Sequence, residues 1–251
     1  IRDSGSAVCE TVYFFVEFVC VFPWKCVSLN NQNRGKIMDG ILRKLPIGIQ
    51  TFEKLREGDY LYVDKTALVW RIASTETPYF LSRPRRFGKS LLLSTFEAYF
   101  EGKKELFEGL AIADMEKEWK TYPVFHLDLN AEKYDSPQAL VEILSRQLTQ
   151  WELKYGKGED EETLSGRFAG VIRRASEQAD RGVVVLVDEY DKPLLQALDD
   201  GALLDDYRKT LKAFYGVLKS SDRYLRFVFL TGVTKFAQVS VFSDLNQLND
   251  I

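Results

Sequence analysis

The chain has 251 residues, of which 45% are hydrophobic and 28% charged, so it can bury a sizeable core and does not have the composition of a disordered protein. Its 34 Lys and Arg residues against 37 Asp and Glu give a net charge of −3, which argues against a general attraction to nucleic acid or anionic membranes. The three cysteines, Cys9, Cys20 and Cys26, all lie within the first 26 residues, and His126 is the single histidine. We therefore expect no disulfide framework and no Cys/His metal site in the main body, which we expect to be cytoplasmic.

Residues 1–37 differ in character from the chain that follows. The apolar run at 11–24, TVYFFVEFVCVFPW, is shorter than the about 20 residues that a membrane-spanning helix needs, and it contains Glu17. Two hypotheses remain open: a membrane anchor, or a leader of doubtful order that is not native, with Met38 as the natural start. The second is favoured, so we expect no stable membrane association and a domain that covers 38–251.

The first half of this domain alternates between strand and helix patterns. YLYV at 60–63 has the composition of a strand, and Asp64 can cap a helix that begins KTALVWRIA. PYFL at 78–81 predicts a short buried strand. Apolar residues then recur at helical spacing in SLLLSTFEAYFEG, where Gly102 ends the helix. A further strand is predicted at 122–129.

The second half continues the alternation. Ser136 and Pro137 predict a helix start, and a second helix follows the exposed acidic connection at 156–162. The consecutive apolar residues at 183–187 are typical of a strand buried on both faces, as in a parallel sheet. A helix at about 203–219 and a strand at 225–232 complete the pattern. Strands that alternate with helices of this length predict an α/β fold with a parallel sheet covered on both faces.

Three of the predicted strands end in polar residues that suit phosphate chemistry. In parallel sheets the functional loops follow the carboxyl ends of the strands. The first such end carries SRPRRFGKS at 82–90, which we call the basic loop. The second carries Asp188 and Glu189, and the third carries Thr231.

The basic loop resembles the phosphate-binding pattern G-x-x-x-x-G-K-[ST], except that Arg83 occupies the first glycine position. Gly88 would let the backbone approach phosphates, Lys89 would reach the β- and γ-phosphates, and Ser90 would coordinate Mg²⁺. Arg85 and Arg86 have two open interpretations, as binders of phosphate or nucleic acid, or as a solvated charge run. The candidate nucleotide-binding residues are Arg83, Arg85, Arg86, Phe87, Gly88, Lys89, Ser90 and Leu91.

The other two strand ends supply candidate catalytic groups. Asp188 could hold Mg²⁺ through its water shell, together with Ser90. Glu189 could polarise a water molecule for in-line attack on the γ-phosphate, and Thr231 could hydrogen-bond that water or the phosphate. The predicted catalytic residues are Lys89, Glu189 and Thr231.

The adjacent Asp188 and Glu189 also suggest a class of enzyme. Such a pair favours NTP hydrolases that have an extra strand between the loop strand and the Asp strand. The segment VFHLDL at 124–129 lies between those two strands in sequence, which fits this class.

Four segments of the chain resemble the AAA-ATPase-like domain of bacterial proteins, and the resemblance covers about residues 44–251. They are KLPIGIQTFEKLREGDYLYVDKT, YFLSRPRRFGKSLLLSTFEAYFEGKKELFEGLAI, VDEYDKPL and FLTGVTKFAQVSVFSDLNQLNDI. The resemblance implies a P-loop NTPase three-layer sandwich with a mostly parallel sheet, binding of ATP and Mg²⁺, and an arginine at the first glycine position as the family's own variant. It carries Lys89, Ser90, Asp188, Glu189 and Thr231 over to their expected roles.

The resemblance also implies neighbours for this domain. Proteins of that family usually continue with another helix and strand and a nuclease-like domain of the PD-(D/E)XK type. We therefore expect the ATPase-like domain to be truncated at its C-terminus here. The expected partner is a nuclease-like domain in the missing C-terminal part, or nucleic acid bound through that part. The sequence does not indicate an oligomeric state.

Three functions remain open from the sequence. The first is a Mg²⁺-dependent ATP-hydrolysing module that drives or gates an attached or partner domain. The second is a nucleotide-binding regulator with little turnover, which the bulky Arg83 favours. The third is a nucleic-acid binder that uses the basic loop, which the acidic net charge disfavours.

Overall fold

The computed structural model describes residues 44–75, 77–130, 133–235, 241–242 and 248–251. Residues 1–37 and Met38, to which the two leader hypotheses apply, lie outside these ranges. No helix within the described ranges is long and apolar enough to cross a membrane.

The described residues form an alternating series of helices and strands. The helices are α1 (Phe52–Glu57), α2 (Thr66–Ala73), α3 (Lys89–Phe100), α4 (Ala111–Met115), α5 (Pro137–Tyr155), α6 (Leu164–Ala179), α7 (Lys192–Gln196) and α8 (Gly201–Ser220). The strands are β1 (Tyr79–Ser82), β2 (Val124–Asp128), β3 (Val183–Asp188), β4 (Leu225–Gly232) and β5 (Asn249–Asp250). Short 3₁₀ helices cover Lys104–Phe107 and Asp222–Tyr224.

The five strands form one parallel sheet in the order β2-β3-β4-β1-β5. Every residue of β3 is buried, because helices cover both faces of the sheet. One apolar cluster joins the sheet to α5, α6 and α8, and a second joins its other face to α1, α2 and α3. The fold class is thereby confirmed: an α/β sandwich of three layers with a parallel central sheet, consistent with a P-loop NTPase.

Side chains alternate between the two faces along β3. Val183, Val185 and Val187 belong to the cluster beneath α5, α6 and α8, whereas Val184 and Leu186 belong to the cluster beneath α3. Since successive side chains of a strand point to opposite faces, Asp188 follows Leu186 onto the α3 face. Because of this alternation, the Asp188 side chain lies on the face of the sheet that α3 covers. The basic loop leads directly into α3.

The predicted strand at 60–63 is wrong. Tyr60 forms only an isolated bridge with Lys44, and Leu61 and Val63 are exposed. Among the described residues, no neighbouring strand completes a ladder with this segment and buries its apolar side chains. The expected cap is also shifted by one residue: α2 begins at Thr66 and its N-cap position is Lys65, but an Asp64 carboxylate oxygen still accepts a hydrogen bond from the Thr66 amide at 2.8 Å.

The position of the extra strand also differs from the expectation. The strand between β1 and β3 is β4, which follows both of them in sequence. The segment at 124–129 forms β2, which lies outside β3 at the edge of the sheet. An extra strand therefore does lie between β1 and β3, but it is β4 and not the segment at 124–129. The order of strands along the chain did not predict their order in the sheet, because consecutive parallel strands need not be neighbours.

Candidate functional site

The carboxyl ends of β3, β4 and β1 meet at one edge of the sheet. In register, Leu81 of β1 lies beside Thr231 of β4, and Val187 of β3 lies beside Leu230. Because the three strands are adjacent and parallel, the residues that follow them emerge together. The basic loop, the Asp-Glu pair and Thr231 are therefore brought to one place, as the sequence predicts.

The basic loop turns sharply before α3. Arg86 and Gly88 have positive φ angles of 69° and 77°, and α3 begins at Lys89. Apart from Gly88 itself and its two chain neighbours, no heavy atom of the described residues lies within 4 Å of the position that a Cβ would take on Gly88. A turn of this kind presents backbone N–H groups to a common point, and the first N–H groups of a helix have no intrahelical acceptor. The loop thus offers donors and a helix N-terminus to an anion.

Lys89 is held at the centre of this loop. Its side chain is buried, and its ammonium donates hydrogen bonds to the carbonyls of Arg83 at 3.0 Å and Pro84 at 3.2 Å. Burial lowers the pKa of Lys89, while the negative charges of Glu189, Asp188 and others oppose that shift. The ammonium therefore lies within the electrostatic reach of the Asp-Glu pair.

Arg83 contributes its backbone to the loop. Its amide donates to the Gly232 carbonyl at 3.1 Å, and its carbonyl accepts from Lys89. Its guanidinium donates to the Ser82 carbonyl at 2.6 Å, and burial lowers its pKa while Asp250 of β5 raises it. An arginine is thereby accommodated at the first glycine position, with its side chain near β5.

The remaining loop residues lie at the surface or in the first turn of α3. Arg85, Arg86 and Phe87 are exposed, whereas Ser90 and Leu91 are half-buried. These placements leave their contacts with a nucleotide as predictions.

Asp188 and Thr231 form a buried pair. The Thr231 hydroxyl donates a hydrogen bond of 2.5 Å to the Asp188 carboxylate, and the Glu189 amide lies 3.4 Å from the same hydroxyl. Thr231 has no exposed surface. Its hydroxyl thus orients Asp188, and the predicted contact with an attacking water or the γ-phosphate stays a prediction.

Glu189 has an unusual backbone conformation. Its φ angle is 51°, in the left-handed region that residues other than glycine seldom adopt. The residues on both sides of it are bonded to the end of β4: Asp188 through Thr231, and Tyr190 through its amide, which donates to the Thr231 carbonyl at 2.9 Å. The backbone of Glu189 is therefore held from both sides.

Sequence reasoning missed Asp191. This carboxylate is fully buried and accepts hydrogen bonds from the amides of Val233 and Thr234 and from the Thr234 hydroxyl. The available signal was an aspartate three residues beyond a fully buried strand, in VDEYDKP, which is easily taken for an exposed turn.

The residues at this edge fit Mg²⁺ with a nucleotide phosphate. Among the described residues, no group of three or more His, Cys, Asp or Glu side chains could hold a metal ion. Mg²⁺ usually keeps several waters and shares its ligands with substrate phosphates. Ser90 and Asp188 could supply the protein ligands, and the open turn at Gly88 leaves room for the phosphates.

Comparisons with known proteins identify a family for this chain. A family model described as "Predicted AAA-ATPase" matches residues 46–242. A protein of Azotobacter chroococcum mcd 1, described as "Uncharacterized protein in vnfD 5'region", is 44% identical over 210 residues, which are 83% of this chain and 41% of that relative. The chain thus spans about two fifths of the relative's length. No solved structure is significantly similar. The chain belongs to the AAA-ATPase-like family.

Proposed function

We propose that this chain binds ATP with Mg²⁺ and hydrolyses it. The proposal depends mainly on one observation. The ammonium of Lys89 is buried within the basic loop and lies within electrostatic reach of Asp188 and Glu189. The lysine and the helix N-terminus attract an anion, whereas the two carboxylates would repel it unless a metal ion lay between them. The site therefore suits a phosphate that carries a metal ion better than an anion alone.

Each residue has a distinct task in this proposal. Lys89 and the N-terminal amides of α3 bind the β- and γ-phosphates. Ser90 and Asp188 hold Mg²⁺, which when bound neutralises charge on the phosphate oxygens. Thr231 keeps Asp188 in place, and Glu189 accepts a proton from the water that attacks the γ-phosphate.

The output of hydrolysis lies in a partner or attached domain. The relative from Azotobacter chroococcum is more than twice as long as the matched region. We propose that nucleotide turnover drives or gates such a domain, with the nuclease-like type as the one that the family resemblance favours. A cytoplasmic location belongs to the same proposal.

The test compares Glu189→Gln with the unaltered chain. The substitution keeps size and hydrogen bonding but removes the base, so phosphate release should fall by about 100-fold or more. Affinity for Mg-ATP should change little. Glu177→Gln, an exposed glutamate on α6, is the matched control and should match the unaltered chain. Unchanged phosphate release in Glu189→Gln would overturn the assignment of the base.

A second candidate is a nucleotide-binding regulator with little turnover. The full burial of Thr231 favours it, because that hydroxyl is already committed to Asp188. Mg-ATP binding without phosphate release by the unaltered chain would select this candidate.

A further inference from the structure

We propose that Asp191 is a positioning residue that holds Glu189 in its hydrolytic orientation by tying the end of β4 to the end of β3. This inference rests on the proposed ATP hydrolysis. The side-chain hydrogen bonds of Asp191 are to Val233 and Thr234, whereas its negative charge also acts on Lys89.

The Asp191 carboxylate is fully buried and fully engaged by one short segment. The Val233 amide lies 3.2 and 3.0 Å from its two oxygens, and the Thr234 amide lies at 2.7 Å. The Thr234 hydroxyl adds a fourth bond at 2.9 Å. Burying a carboxylate is costly unless hydrogen bonds replace its water, so these donors and Asp191 hold one another firmly.

Tyr190 reinforces the same connection. Its amide donates to the Thr231 carbonyl, and its hydroxyl donates to the Thr234 carbonyl at 2.9 Å. Its ring stands so close to Gly232 that a Cβ there would lie 2.4 Å from a ring carbon. Each residue from Thr231 to Thr234 is therefore in contact with Tyr190 or Asp191.

This connection determines the conformation of Glu189. A left-handed residue other than glycine persists only where its surroundings impose that conformation. Here the constraint comes from the end of β4, which is bonded to Asp188 before Glu189 and to Tyr190 and Asp191 after it. Loosening the Asp191 bonds would let Glu189 relax toward right-handed values and turn its carboxylate away from the γ-phosphate.

The decisive variants are Asp191→Asn and Thr234→Val. The first introduces an amide that cannot accept all of these bonds, and the second removes only the hydroxyl bond to Asp191. We expect Asp191→Asn to lower kcat by about tenfold, equivalent to about one charge-assisted hydrogen bond, and Thr234→Val to lower it less. The dissociation constant for Mg-ATP should stay within about threefold, since no phosphate donor loses a hydrogen bond and the Asp191 charge is the smallest of the three carboxylate charges acting on Lys89.

A double-mutant cycle separates positioning from general stability. If Asp191 acts through Glu189, Asp191→Asn should have no further effect on single-turnover phosphate release in a chain that already carries Glu189→Gln. Asp199→Asn, at an exposed aspartate nearby, is the matched control and should leave kcat unchanged. Thermal unfolding of each variant checks that the fold is retained, and Thr234→Val serves the cycle if Asp191→Asn does not fold.

The outcomes are distinguishable. An equal loss of rate with and without Glu189→Gln, or full activity in both Asp191→Asn and Thr234→Val, would overturn the positioning role while leaving ATP hydrolysis intact. Absence of turnover in the unaltered chain would overturn the proposed hydrolysis and the positioning role together.

Discussion

Removing one partner of the buried ion pair between Arg167 of α6 and Glu152 of α5 should destabilise the fold strongly. Two guanidinium nitrogens each lie 2.7 Å from a different oxygen of Glu152. The side chains are only 10% and 6% exposed. Further bonds to Ser145 and Thr149 engage the same guanidinium. Glu152→Ala would leave a buried cation without its counter-charge, which should cost about 3–5 kcal/mol of unfolding free energy.

Urea denaturation followed by circular dichroism measures this cost. The matched control is Glu177→Ala, which removes the partner of Arg173 in an exposed pair on α6, 46% and 53% exposed. That change should cost about 0.5 kcal/mol or less. If Glu152→Ala costs no more than Glu177→Ala, the reasoning that burial makes the first pair critical is refuted.

Three further changes have expected outcomes. Asp64→Ala should lower the unfolding free energy by about 1–2 kcal/mol in urea denaturation, since the carboxylate bonds the start of α2 and the Ala111 amide of α4. Gly232→Ala should cost about 1–3 kcal/mol in the same assay, because the added methyl group would overlap the Tyr190 ring. Burial lowers the pKa of His126, but the hydrogen bond to Glu97 and the negative charges of Glu97, Asp188 and Asp128 together outweigh burial, so the pKa is raised. Its stabilising contribution is therefore complete below the unfolded pKa of about 6.5 and is lost as pH rises through the folded pKa, so His126→Gln should flatten the fall in stability above that pH.

A strand could be predicted from the sequence where its pattern of apolar residues fits only one kind of surroundings in the fold. The apolar residues at 183–187 suit only a strand covered on both faces, and they form β3. The segment at 60–63 has equally strand-like composition but no partner strand in the part of the chain that the structure describes, and strands depend on neighbours that a local pattern does not reveal. The order of strands in the sheet is similarly a property of the whole chain.

The positions of the candidate site residues could be predicted where those residues follow the carboxyl ends of strands. Lys89, Asp188 and Thr231 meet because parallel strands end at a common edge. The bond from Thr231 to Asp188 and the burial of Asp191 could not be predicted, because they depend on the register of β4 against β3 and on the path of the chain after Gly232.

Calorimetric titration of the full chain with Mg-ATP tests the central claim most directly. The unaltered chain should bind, and Lys89→Ala should bind about 10- to 100-fold more weakly, as loss of charge-assisted bonds to phosphate requires. Lys209→Ala, at an exposed lysine of α8, should bind like the unaltered chain, and circular dichroism should show that all three are folded. No binding by the folded unaltered chain, or equal affinity in Lys89→Ala, would contradict the account of the basic loop as a phosphate site.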